Sequence, residues 1–504
     1  MADSWMTHRA AGVVLHPTSL PGPHGSGDFG PNAYYFMDWL HTAGQTLWQT
    51  LPLGPVGPGY SPYMGSSAFA GNPLLVAFEP MVQRGWLDST SLQAGWTEER
   101  IDFPALSARR VLKLREAFTG FEQHATAQDR AELADWAQSQ HAWLGDYTLF
   151  MALDQSYSPA LWPEWPQPLA QRAVAALDLA RETHAQEISF WRFVQWQFEV
   201  QWQAIKVYAH GKGIRMVGDL PIFVAHHSAD CWARPDLYQL EGLGHPSVVA
   251  GVPPDFFSDT GQRWGNPLYN WDAMARDGYR WWIERVRRQL HLADVVRIDH
   301  FRGFVDYWEI PANEPTAVKG RWQPGPGEAL FTALSDAMGE LPIIAEDLGI
   351  ITQEVTVLRE RTGFPGMRVL QFAFSGDAGN AFLPHNFEPN TVVYTGTHDN
   401  DTVPGWWGTC NAHERAFAAH YLNTDGHDVH WAMVRAANFS VARLALCQFQ
   451  DLLGLDGGHR MNTPGTMGCW SWRFKWEWVG PEIAQQLANI TAASGRVGFD
   501  RLKL

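Results

Sequence analysis

The sequence predicts an α/β protein: a (β/α)8 barrel with inserted, mainly helical subdomains around the rim where its strands end. Three observations carry this. Short apolar runs alternate with amphipathic helical patterns along the chain, the arrangement that builds parallel sheets. One interval between consecutive runs, Leu51 to Arg215, is far too long for a single crossover helix and reads as inserted subdomain material. No GxGxxG or GxxxxGK[ST] loop follows any run, which counts against a doubly wound nucleotide-binding sheet.

The expected strands, in order, are Gly12–Leu15, Thr46–Leu51, Arg215–Asp219, Val295–Asp299, Ile343–Glu346, Arg368–Phe372 and Val392–Thr395. Each is a nearly continuous apolar run, as a strand buried on both faces requires. Helical patterns occupy Ala105–Gln123 and Ala131–Gln155, before a Pro-rich stretch at Leu161–Pro168. Phe190, Phe193, Val194 and Ile205 lie on a long helix ahead of the Arg215 strand. Tyr279, Trp282, Ile283, Val286 and Leu290 form one apolar helix face ahead of the Val295 strand. The expected organisation is one catalytic barrel over 1–504. A helical subdomain is inserted at roughly 74–165, and a loop subdomain at roughly 225–275 covers the cleft.

Bulk properties exclude several classes. At 45% hydrophobic and 18% charged residues the chain is globular, not disordered. Its net charge of -16 repels phosphate backbones and anionic lipid, so neither nucleic acid nor a membrane is expected as a partner. No stretch reaches the length of a membrane span, and the first residues have no signal-like apolar core. The four cysteines, Cys231, Cys410, Cys447 and Cys469, form no CxxC pair, which fits a reducing compartment; the expected location is the cytoplasm. The 26 tryptophans favour a sugar ligand only weakly, because most such rings are core.

The chemistry sits where the runs end. In Val-Val-Arg-Ile-Asp-His, Arg297 and Asp299 are two apart and share a strand face. A guanidinium beside a carboxylate favours its anionic form and orients it, which suits a nucleophile; a buried structural ion pair is the competing use. Glu346 ends the Ile-Ile-Ala run, where partial desolvation suits a carboxyl for proton transfer near neutrality. His398, Asp399 and Asp401 follow the run at Val392, and Asp219 ends the run at Arg215. Parallel strands bring all four ends to one rim. Retaining glycosidases need two carboxyls about 5–5.5 Å apart. A metal site is the other use of clustered acids, but Arg297 already supplies positive charge, so neither a metal nor a cofactor is expected.

These segments resemble the four motifs of the α-amylase superfamily, in the same order. More narrowly, the chain resembles the 4-α-glucanotransferases of the amylomaltase type over nearly its whole length. The resemblance rests on GVVLHPTSLPGPHGSGDFG at the start, SPYMGSSAFAGNP at Ser61–Pro73, GDLPIFVAHHSADCW at Gly218–Trp232, GVPPDFFSDTGQRWGNPLYNW at Gly251–Trp271, RIDHFRGF, AEDLG, GFPGMRVLQFAF, GTHDNDT and RMNTPGT. It implies Asp299 as nucleophile, Glu346 as general acid/base and Asp399 as transition-state stabiliser. It further implies Ser61, Tyr63, Asp219, Trp264, Arg297, His398 and Asn462 as substrate-binding residues. The implied donor is an α-1,4-glucan or maltooligosaccharide, and the acceptor glucose or a maltooligosaccharide. Three positions depart from the family pattern: His227 where an acid is common, Phe256 where Tyr is common, and Cys469 where Asn is frequent. The same carboxylates would serve a hydrolase, and a silent glucan-binding protein would keep the scaffold. Retention of all three carboxylates speaks against the latter.

Overall fold

The computed structural model describes residues 8–93, 99–255 and 258–497. Eight parallel strands form the barrel: β1 (Ala10–Val14), β2 (Leu47–Gln49), β3 (Arg215–Leu220), β4 (Val295–Ile298), β5 (Ile343–Ala345), β6 (Gly366–Val369), β7 (Thr391–Tyr394) and β8 (Leu444–Gln448). Their order is β5-β4-β3-β2-β1-β8-β7-β6, so the first and last strands pair, as ring closure demands. The remaining seam, between β5 and β6, is not a regular ladder. It is bridged by the Ala345 N–H donating to the Pro365 carbonyl (3.0 Å) and the Met367 N–H donating to Asp347 Oδ1 (2.6 Å). A side chain at Gly366 would collide with those Asp347 oxygens, so glycine is what lets the carboxylate reach the strand.

Alternation along each strand builds two layers. Val217, Val295, Ile344, Met367, Val392, Tyr394, Leu444 and Leu446 fill the lumen. Val296, Ile298, Ile343 and Ala345 point outward into the large core shared with the helices. Gly12 of β1 sits where any side chain would collide with Leu47 and Leu446 in the packed lumen.

Several elements differ from the sequence expectation. The eighth strand, β8, is absent from it. The LALCQ run follows the helix Val429–Phe439 and enters the helix Phe449–Leu452 with no Gly or Pro boundary, so periodicity does not separate it from a buried helix. β6 starts at Gly366 and ends at Val369, and Leu370–Phe372 is a 3-10 turn instead of strand. The pattern at Ala131–Gln155 is two helices, Ala127–Ser139 and Leu144–Tyr157. Thr126 and Asp129 start the first with a reciprocal capping box. The helix expected before β3 spans Ala185–Gly211, and the one before β4 spans Arg280–Leu292, with Tyr279 as its N-cap.

Beyond the strand ends lies a four-stranded antiparallel sheet in the order Arg321–Pro324, Asp306–Pro311, Val248–Val252, Gln262–Pro267. Two of these strands come from the β3–β4 connection and two from the stretch after β4. The material beside the cleft is therefore a sheet drawn from two connections. Among the described residues no helix is long and apolar enough to cross a membrane.

Candidate active site

The site grows out of the C-terminal ends of β3, β4, β5 and β7. On β3 and β4, Asp219 and Arg297 are direct ladder partners, so both side chains enter the lumen together. Asp299, two residues on from Arg297, lies on the same face just past the strand. Arg297 organises this end of the barrel. Its Nη1 donates to both Asp219 oxygens (2.8 and 2.7 Å), its Nη2 to Asp299 Oδ1 (2.7 Å) and its Nε to Met367 Sδ (3.3 Å). Burial opposes its charge, but the Asp219 and Asp299 carboxylates outweigh that, and its pKa lies well above the usual arginine value. A buried cation with two carboxylates and no spare solvent is fixed in place.

Glu346 follows β5 directly. It accepts the His300 N–H (2.6 Å) at one oxygen and the Leu348 N–H (2.8 Å) at the other. His300 is the residue after Asp299, so the two carboxyls flank one peptide. Its backbone is left-handed (φ 52°), an uncommon conformation for a residue with a side chain. Burial and the adjacent Asp299 charge push the Glu346 pKa up to about 7, against the pull of Arg297 and the two amides. The His300 ring meets Trp264 edge-on, centroids 5.0 Å apart, which places the Gln262–Pro267 strand of the antiparallel sheet over this corner.

His398 and Asp399 lie on the loop after β7. The Tyr63 hydroxyl donates to Asp219 Oδ2 (2.7 Å), so toward His398 Nδ1 (3.3 Å) it is an acceptor. His398 Nε2 faces Asp399 Oδ2 (3.3 Å). The Asp399 carboxylate at this distance favours the charged form of the imidazole. Burial lowers the His398 pKa, yet Asp399 more than compensates and the net shift is upward. In return, although burial works the other way, His398 and the Asn462 amide (Nδ2 to Oδ1, 2.6 Å) hold the Asp399 carboxyl down at about 2. The Asp399 side chain is nonetheless 45% exposed, facing the cleft.

The cleft has a volume of about 270 Å3; Ser61, Tyr63, Trp264, Asp299, His398, Asp399 and Asn462 are among its lining residues. Ser61 also caps the Tyr63 backbone N–H (3.2 Å). Asp219 and Arg297 lie beneath this floor, and Glu346 stands beside Asp299. The structure thus brings Ser61, Tyr63, Asp219, Trp264, Arg297, Asp299, Glu346, His398, Asp399 and Asn462 together at one rim. Asp401 is turned away: its Oδ1 accepts the Thr402 N–H (2.8 Å), a loop contact.

The model of the glycoside hydrolase 77 family, described as 4-alpha-glucanotransferase, matches residues 15–478. The chain belongs to that family. A 4-alpha-glucanotransferase from Thermus thermophilus is 48% identical over 97% of this chain and 99% of its own length. The chloroplastic/amyloplastic 4-alpha-glucanotransferase of Solanum tuberosum is 44% identical over 97% of this chain and 87% of its own length. Among solved structures, an amylomaltase from Streptococcus agalactiae in complex with acarbose superposes with a TM-score of 0.94 at 37% identity, over 97% of this chain and 100% of that one.

Within this 4-α-glucanotransferase site, several residues escape sequence reasoning. Trp470 (φ 69°) packs against both the Tyr63 and His398 rings, with centroids 5.7 and 5.8 Å away. Arg460 donates to the Asp399 carbonyl (2.8 Å). Phe223, Gln262 and Asn266 join the cleft wall. Arg460 opens RMNTPGT, Gln262 and Asn266 lie within Gly251–Trp271 and Phe223 within Gly218–Trp232, whereas Trp470 lies outside every quoted segment. Of the departures from the family pattern, His227 lies outside the cleft lining. Its Nδ1 accepts the Trp162 N–H (3.2 Å) and its Nε2 donates to Asp154 (2.6 Å), so it ties the inserted helices to the β3 connection. Cys469 Sγ accepts the Thr463 N–H (3.3 Å) and steadies the late loop. Phe256 lies outside the described residues.

Proposed function

We propose that Asp299 is the nucleophile and Glu346 the acid/base of a retaining transfer between α-1,4-glucans. The observation that carries this is the pairing of the two carboxyls across one peptide with opposite surroundings. Asp299 faces a guanidinium, while Glu346 is buried with a pKa of about 7. Carboxyl pairs whose environments differ in this way divide the work of acid and nucleophile.

In the first step an Asp299 oxygen attacks the anomeric carbon of the donor. The bond from that carbon to the leaving 4-oxygen breaks, and the Glu346 proton moves to that oxygen. In the second step the 4-hydroxyl of an acceptor, glucose or a maltooligosaccharide, attacks the same carbon. The bond to Asp299 breaks and the acceptor proton returns to Glu346. Two inversions give retention, and one hard displacement becomes two easier ones. Asp399, held by His398 and Asn462, grips sugar hydroxyls as the ring flattens. Arg297 and Asp219 support it from below, while Tyr63, Ser61 and Trp264 shape the donor and acceptor walls. Each proton and electron pair has a residue to hold it, so the scheme needs no cofactor or metal.

The chain acts, in this reading, as one catalytic barrel whose insertions at roughly 74–165 and 225–275 shape the ends of the glucan track. Four unpaired cysteines support a cytoplasmic setting. The test is pure maltotriose. Transfer conserves the number of glycosidic bonds, so reducing ends stay nearly constant while glucose and chains longer than maltotriose both appear. Reducing ends that climb in step with product, with no longer chain formed, would replace transfer with hydrolysis.

A further inference from the structure

The loop Gly396–Thr402 carries His398 and Asp399 but has no ladder or helix of its own to hold it. The late loop holds its middle, through the Asn462 N–H on the His398 carbonyl (3.1 Å) and Arg460 on the Asp399 carbonyl (2.8 Å), and a set of side chains behind the cleft holds the rest. Asp451, fully buried on the short helix after β8, accepts the Thr395 Oγ1–H at Oδ2 (2.7 Å) and the Val403 N–H at Oδ1 (2.6 Å). Thr395 is the last residue before the loop and Val403 the first after it. One carboxylate therefore grips both ends. The Val403 amide is among those at a helix start that have no partner within the helix, so a carboxylate there satisfies a group that would otherwise be orphaned.

The middle of the loop is tied down too. Gln371 Nε2 and Gln448 Nε2 both donate to the Asp401 carbonyl (2.7 and 3.1 Å). A side chain on Gly396 would collide with both amides, so the glycine is what lets them reach. Asn400 Oδ1 accepts from the Thr397 N–H (2.8 Å) and its hydroxyl (2.9 Å). At the ends, the Asp451 carboxylate bonds both flanking residues directly, while Gln448 links the Thr395 hydroxyl (3.3 Å) to the Asp401 carbonyl.

We propose that Asp451 is a positioning residue: by clamping Thr395 and Val403 it sets the height at which His398 and Asp399 meet the sugar. It touches no substrate and lies outside the cleft lining. This rests on the proposed role of Asp399. Both oxygens accept a donor, which offsets part of the cost of burial, although burial still pushes the Asp451 pKa up to about 7. An Asn at this position would keep the shape and offer one acceptor for two donors.

The experiment uses full-length enzyme with maltotriose. Asp451→Asn removes one acceptor; Thr395→Val, with little change in volume, removes the donor to Asp451 together with the acceptor of the Gln448 N–H (3.3 Å), and Thr395→Ser restores both. We expect Asp451→Asn and Thr395→Val each to lower kcat by about tenfold or more, with KM within about twofold, since a displacement near 1 Å has effects of that order. Thr395→Ser should recover most of that loss. Added to Asp399→Asn, measured with a glycosyl fluoride donor, the Asp451 change should cost little more, because the group it positions is already gone. If Asp451→Asn does not fold, Thr395→Val decides. A folded Thr395→Val enzyme with undiminished kcat, or losses that multiply fully on the Asp399→Asn background, overturns the proposal. Should Asp399→Asn itself prove harmless, it is the role of Asp399 that fails instead.

Discussion

Arg297→Lys is the substitution that separates charge from geometry in this site. The guanidinium spans two carboxylates, giving Nη1 to both oxygens of Asp219 and Nη2 to Asp299. Lysine keeps the charge, but its single ammonium on a flexible stem cannot reproduce the planar fork. Asp219 sits deeper and is entirely enclosed, whereas the Asp299 side chain is 30% exposed, so the ammonium will settle on Asp219. Asp299, the proposed nucleophile, then loses one charge-assisted hydrogen bond, worth about 1.5–3 kcal/mol. If that loss is felt in the transition state, kcat/KM falls by roughly 10- to 150-fold, at about 1.4 kcal/mol per decade. The assay is initial-rate transfer from maltotriose, alongside thermal melting to show that the fold persists. A lysine variant within threefold of wild type would refute the claim that Arg297 orients Asp299.

The proposed first step needs Glu346 protonated, and burial raises its pKa to about 7, so kcat/KM should hold below that pH and fall as pH rises through it. Glu346→Gln should lose about 100-fold or more with maltotriose yet retain the first step with a glycosyl fluoride, whose leaving group needs no proton. Glu199→Gln tests the scaffold: Glu199 joins the helices Ala185–Gly211 and Arg280–Leu292 through Arg288 (2.7 Å) and His291 (2.6 Å), none of which lines the cleft. Removing its charge leaves the buried Arg288 without its carboxylate, with the Phe69 carbonyl (3.0 Å) as a neutral acceptor, and should cost about 3–5 kcal/mol in denaturant unfolding. Burial opposes ionisation of Glu199, but Arg288 and His291 outweigh it and depress its pKa to about 2 from an ordinary 4.5. Its contribution is therefore complete above about pH 4.5 and is lost as pH falls toward 2.

The parts of the fold legible in the sequence are those whose local pattern agrees with their final setting. β4 is an apolar run broken only by Arg297, and its alternation already separates the lumen-facing residues from the helix-facing ones. β8 is illegible for the opposite reason, since LALCQ is joined to helices at both ends without a breaker. The antiparallel sheet beside the cleft is likewise hidden, because its strands are short and two of them lie in a different connection. Within the site, residues at strand ends are readable, since strand direction alone brings Asp219, Asp299, Glu346 and Asp399 to one rim. Trp470 and Arg460 are not, since their contacts with Tyr63, His398 and Asp399 depend on how a late loop folds back across the barrel. Asp451 is hidden in the same way. Nothing local marks a carboxylate after β8 as the support of a loop that follows β7.

The account turns on a covalent bond between a glycosyl group and Asp299. The direct measurement is to mix Glu346→Gln enzyme with a maltosyl fluoride and follow intact mass, then locate the modified peptide. Without the acid/base the intermediate still forms, because fluoride departs unaided, but its transfer to an acceptor is slowed. We expect a mass increase of one maltosyl group, mapped to the peptide that holds Asp299 and absent when Asp299 is replaced by Asn. An unmodified enzyme that still consumes the fluoride, or an adduct mapped to any other carboxylate, would contradict the account.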